Sequence, residues 1–151
     1  MAQFFAIHPD NPQDRLIKQA ADIVRSGGVI VYPTDSCYAL GCKLGDKNAM
    51  ERILAIRKID QKHHLTLMCA DLSELGTYAK VDNAQFRQLK AATPGSYTFI
   101  LQATKEVPNR TLHPKRKTIG LRVPNNATAL ALLQELGEPI LSCTLMLPED
   151  D

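Results

Sequence analysis

Four short stretches place side chains able to hydrogen-bond or hold an anion beside apolar ones: "YPTDSCYALG" (32–41), "PGSYTFIL" (94–101), "TIGLRVP" (118–124) and "ILSCTLML" (140–147). Alternate residues of an extended chain share a face. Read as strands, these stretches present Thr34, Ser36 and Tyr38 together, then Ser96 with Thr98, Gly120 with Arg122, and Ser142 with Thr144. Arginine grips phosphate or carboxylate through a planar fork, and the missing side chain at Gly120 would let a ligand lie across the strand to reach Arg122. Pro33 cannot donate a ladder hydrogen bond, so a bend or an edge is expected there. A single buried Ser or Thr more often satisfies a neighbouring backbone group, and a lone Arg at a strand end more often makes a surface ion pair. The recurrence of the pattern in four strands is what points to a polar, anion-accepting sheet face.

Charge is distributed unevenly behind a formal net of +2. Residues 105–122 carry Lys105, Arg110, Lys115, Arg116, Lys117 and Arg122 against Glu106, whereas residues 135–151 carry acids and no base. The basic middle could attract phosphates, although a solvated loop is the simpler account of Lys115-Arg116-Lys117 alone. A second basic stretch, "IRKIDQKHHL" (56–65), adds Arg57, Lys58 and Lys62, a candidate phosphate-contacting loop. Its two adjacent histidines and Asp60 fall short of a zinc ligand set, so no metal site is expected. The phosphate loop G-x-x-x-x-G-K-[ST], the dinucleotide turn G-x-G-x-x-G and the nucleophile elbow G-x-S-x-G are all absent.

The elements that must position these residues follow from periodicity and punctuation. Asn11-Pro12 can start a helix carrying Leu16, Ile17, Ala20, Ile23 and Val24, stopped by Gly27-Gly28. Val29–Tyr32 then reads as a buried strand. Asp46 can cap a second helix, Leu65–Cys69 forms a short strand, and Asp71 begins a helix to about Tyr78. Asp82 or Asn83 caps another before the Pro94-Gly95 turn. Strands follow at Tyr97–Leu101 and 118–123, the latter alternating polar and apolar. Asn125 or Asn126 caps a helix ended by Gly137, and Ile140–Leu147 is a last strand. Interleaved strands and helices predict an α/β layered domain. At 151 residues with 44% hydrophobic and 23% charged content, one domain over 1–151 is expected. Without a basic segment leading into an apolar one at the N-terminus, the cytoplasm is the expected compartment. No apolar run approaches the roughly 18 residues that cross a bilayer. Cys37, Cys42, Cys69 and Cys143 are too scattered for a structural zinc site and are expected as free thiols.

The four stretches, in this order and spacing, resemble the YrdC/YciO family, most closely its YciO branch, over essentially the whole chain. The resemblance implies a twisted, mixed α/β sheet with helices packed on it and a concave polar and basic face. YrdC-type enzymes are threonylcarbamoyl-AMP synthases that combine ATP, threonine and bicarbonate and release pyrophosphate, which implies ATP with Mg2+ as the substrate and a link to tRNA modification. Thr34 matches the threonine of the family's P-T-x-[ST] motif, Thr98 that of P-G-x-x-T, and Arg122 the arginine of G-x-R-x-P. Where the synthases keep a K-x-R pair this chain has Arg57 and Ile59, and where they keep S-x-N it has Ser142 and Thr144. Ile59 removes a cation, and Thr144 replaces an amide with one hydroxyl, so a weak or altered synthase-related activity is expected. Members normally continue beyond this length with further strands, which implies that the last family strands are lacking and the pocket is open. The alternative is a double-stranded RNA or tRNA-binding protein that does no chemistry and uses Lys58, Lys62, Lys115, Arg116 and Lys117 on phosphates.

Overall fold

The computed structural model describes residues 3–58, 65–108, 111–112 and 115–145. Among these residues five helices, α1 (Asp14–Arg25), α2 (Lys47–Arg57), α3 (Leu72–Tyr78), α4 (Asn83–Ala92) and α5 (Ala127–Leu136), interleave with six strands. The strands are β1 (Ile30–Pro33), β2 (Tyr38–Lys43), β3 (Thr66–Met68), β4 (Phe99–Gln102), β5 (Thr118–Arg122) and β6 (Ile140–Thr144). Side-chain caps start four of the helices. The carboxylates of Asp46, Asp71 and Asp82 accept from the amides of Ala49, Glu74 and Gln85, and Asn126 accepts from Ala129; such caps satisfy amides that a helix start leaves without partners. Gly137 at φ 70° closes α5 in a conformation that favours glycine.

The first helix departs from expectation. It begins at Asp14 behind Gln13 rather than at Asn11. His8 explains the delay, because its Nδ1 accepts from the amides of Asp10 and Asn11 and folds this segment into a turn.

The strands form one mixed sheet in the order β1-β2-β6-β3-β5-β4, with β3 and β5 parallel and the other pairs antiparallel. The register lines up Ile30, Gly41, Ser142, Thr66, Gly120 and Ile100 in one row across all six strands. One face buries Leu40, Cys42, Leu67, Ile119, Leu121 and Leu141 with Ala49, Met50 and Ile53 of α2, Leu75 of α3 and Leu89 of α4. The opposite face packs Tyr32, Ala39, Met68 and Ile140 against α1 and α5 through Ile17, Ala20, Ala129, Leu132 and Leu133. The row containing Gly41 and Gly120 lies on this second face, as does Arg122, two residues from Gly120. Strand β5 is buried throughout, from Thr118 to Arg122: Ile119 and Leu121 lie in the first core cluster, while on the other face Thr66 and Thr98 flank Gly120 and residues 35 and 36 meet Arg122.

Candidate functional site

Residues 34–37 are not extended, contrary to the alternation read from "YPTDSCYALG". They form the tip of the β1–β2 hairpin, whose last pair is Pro33 with Tyr38. The proline ends the strand and the polar residues turn the chain. The Thr34 side chain organises that turn: its Oγ1 donates to the Cys37 carbonyl and accepts from the amides of Ser36 (3.2 Å) and Cys37 (3.1 Å). The Thr34 amide also donates to the Cys37 carbonyl at 3.0 Å.

The tip overhangs the sheet. Strand β5 is three places from β2, roughly 14 Å at a strand spacing of about 4.8 Å, yet Arg122 at the end of β5 meets the tip directly. Arg122 Nη2 is paired with Asp35 Oδ1, Nη1 donates to Ser36 Oγ at 3.1 Å, and Nε donates to the Gly95 carbonyl at 3.2 Å. The side chains of Arg122 and Asp35 are only 7% and 13% exposed. Ser96 Oγ lies 3.5 Å from Asp35 Oδ2, and Asn126, the cap of α5, donates to the Thr34 carbonyl at 3.5 Å. Three of the four stretches thus converge: the hairpin tip, the turn after the cis Thr93-Pro94 bond, and the end of β5. Sequence reasoning missed Asp35 and Asn126. Under strict alternation Asp35 points away from Thr34 and Ser36, whereas in a turn it lies at the apex.

The fourth stretch contributes differently. Ser142 is 1% exposed; its Oγ donates to the Ile140 carbonyl at 3.3 Å and is hydrogen-bonded to the Tyr32 hydroxyl. Expected as a ligand donor, Ser142 forms a buried tie between β6 and β1. Burial pushes the Tyr32 phenol well above its ordinary pKa, so it stays protonated. Tyr32→Phe is expected to cost about 1 kcal/mol and lower the melting temperature by roughly 2–4 °C in a thermal melt, since it removes one donor and no packing.

A Cβ placed at Gly120 would be 3.1 Å from both Thr66 Oγ1 and Thr98 Cγ2, so two threonine side chains flank the bare backbone there. Thr98 and Thr144 are exposed. Tyr38, also exposed, lines a different feature, a groove of about 860 Å3 along the outer edge of β1 with Phe4, Val31 and Arg52. Arg57 ends α2 in the layer on the other face, Lys58 follows in a left-handed conformation at φ 56°, and Ile59 and Lys62 lie outside the described residues. Lys115, Arg116 and Lys117 form an exposed turn leading into β5. The four cysteines are free thiols, with Cys37 exposed at the tip. Among the described residues no group of three His, Cys, Asp or Glu side chains could hold a metal ion, and no helix is long and apolar enough to cross a membrane.

Comparison with known proteins places this arrangement. The chain is 69% identical to YciO of Escherichia coli K12 over 148 residues, covering 98% of this chain and 72% of that protein. The crystal structure of E. coli YciO superposes with a TM-score of 0.96 over the same shares of the two chains. A threonylcarbamoyl-AMP synthase of Chromobacterium violaceum is 37% identical over 135 residues, 89% of this chain and 69% of the enzyme. The structure of P. abyssi Sua5 complexed with L-threonine matches at a TM-score of 0.80 and 27% identity over 88% of this chain and 39% of Sua5. The family model Sua5_yciO_yrdC, described as telomere recombination, matches residues 22–151; with the twisted mixed sheet and these relatives, this chain belongs to the Sua5/YciO/YrdC family.

Proposed function

We propose that this chain binds a nucleotide and a small amino acid on the sheet face beneath the hairpin tip, with a weak or altered threonylcarbamoyl-AMP-related activity linked to tRNA modification. The convergence of the Thr34–Cys37 tip, Gly95-Ser96 and Arg122 carries this reading, supported by the relationship to the C. violaceum synthase. In the synthase reaction the threonine amine is carboxylated, and a carbamate oxygen attacks the α-phosphorus of ATP and expels pyrophosphate. Arg122, Thr98 and Thr144 would serve it by positioning and charge stabilisation. Mg2+ would arrive on the triphosphate. In calorimetry, Thr98→Ala is expected to weaken ATP binding in the presence of threonine by about tenfold, the value of one lost charge-assisted hydrogen bond. Thr98 is exposed, so the variant should fold normally. Undiminished affinity in this variant, or no ATP binding by the unaltered chain, rejects the reading.

One observation favours the alternative of RNA binding. Lys115, Arg116 and Lys117 are all exposed on the one turn that leads into β5, a compact basic surface that would suit a phosphate backbone. RNA affinity would then fall steeply with salt. Neutralising Lys115, Arg116 and Lys117 would flatten that slope; an unchanged slope discards the alternative.

A further inference from the structure

The hairpin tip is closed by one side chain, that of Thr34, through hydrogen bonds to Ser36 and Cys37, so its amides are protected only as long as the tip is held in place. Its ties outward come from three side chains: Arg122 to Asp35 and Ser36, Ser96 to Asp35, and Asn126 to the Thr34 carbonyl. Two of these are long, at 3.5 Å, which leaves the Arg122 guanidinium, paired with Asp35 and bonded to Ser36, as the main fastening. A carboxylate of the protein itself therefore occupies the guanidinium that the site offers to an anion.

We infer that Asp35 is a latch: the hairpin tip holds Arg122 with its own carboxylate, and an incoming oxyanion, carboxylate or phosphate, binds by taking Asp35's place and releasing the tip. This rests on the reading of the face beneath the tip as a ligand site. Exchange of one anion for another leaves Arg122 paired throughout, avoiding the large cost of a buried charge without a partner. Asp35, freed at an apex beside exposed Ser36 and Cys37, moves into water. The ligand thus shifts the tip between two positions through its preference for the open one.

Asp35→Asn removes the competing charge and keeps the shape, so it should bind pyrophosphate or L-threonine about tenfold more tightly than the unaltered chain, by one charge-assisted contact no longer displaced. Hydrogen exchange gives a second reading that does not depend on this variant folding. In the unaltered chain, saturating pyrophosphate or threonine should speed exchange of the amides of Ser36 and Cys37, whereas a ligand sealed beneath a fixed wall would slow it. Comparing the two probes tells whether phosphate or carboxylate is the anion that enters. Equal or weaker binding by Asp35→Asn, or slowed tip exchange with both probes, overturns the latch. Neither result bears on ATP binding by Thr98→Ala, so the latch can fail while the nucleotide reading stands. Loss of all binding by the unaltered chain, including ATP, sinks both.

Discussion

Gly41→Ala is expected to lower the unfolding free energy by about 3–5 kcal/mol, summing overpacking in a closed core with loss of a buried hydrogen bond. That corresponds to a melting temperature lower by roughly 6–20 °C. A Cβ at residue 41 would lie 2.7 Å from Tyr32 Cε1 and 2.7 Å from Ile140 Cγ2, closer than carbon atoms pack. Neither neighbour can retreat freely: Tyr32 is 2% exposed and Ile140 fully buried. If the Tyr32 ring moves, its hydroxyl leaves Ser142, and the same tyrosine leads through Pro33 into the tip that Asp35 fastens. Trimming the obstruction should rescue the variant. In a double-mutant cycle, Tyr32→Val is expected to cost less in the Gly41→Ala background than alone, by about 1 kcal/mol or more. Additive losses would mean that the ring does not set the limit at residue 41.

That contact also explains how the opening motif of the sequence works. In "YPTDSCYALG" the first and last residues are diagonal neighbours across the hairpin: glycine at 41 admits the ring of the tyrosine at 32, and the turn between them carries the latch. Residue types announced a special place, but this contact was not legible, because alternation along one strand cannot reveal that the chain doubles back. The same limit applies to Ser142. Its face was read correctly, yet its burial depends on a tyrosine more than a hundred residues away. Gly120 also lies on the predicted face, and the threonines that flank it come from β3 and the segment before β4.

Local signals fared better. The caps at Asp46, Asp71, Asp82 and Asn126 and the stop at Gly137 were readable, since each is settled within a few residues. The α1 start was missed for an equally local reason, the His8 ring taking two amides. Arg122 was singled out by type and position. Its partner was not, because an arginine suited to hold an external anion carries the same signature as one that holds an internal carboxylate.

The second large effect is a gain. Installing Asn at 144 and Arg at 59 is expected to raise threonylcarbamoyl-AMP formation, followed as pyrophosphate release from ATP with threonine and bicarbonate, by about 100-fold. The estimate takes each restored contact as about 1.4 kcal/mol, or tenfold. Thr144 is the last residue of β6, paired with Ala39 and exposed, so Thr144→Asn adds an amide with two donors and an acceptor at little cost to stability, within about 0.5 kcal/mol for an exposed site. Ile59→Arg adds the cation that the synthases of this family keep two residues beyond the position of Arg57, where it would offset triphosphate charge. Because one change supplies hydrogen bonds and the other charge, the single variants separate the two. Ile59→Arg should act mainly on ATP affinity and weaken as salt is raised, whereas Thr144→Asn should be nearly insensitive to salt. A well-folded double variant with no increase would show that the missing arginine and asparagine are not what separates this chain from the synthases, and would shift attention to the latch, since an Asp35 that does not yield would block the anion whatever surrounds it.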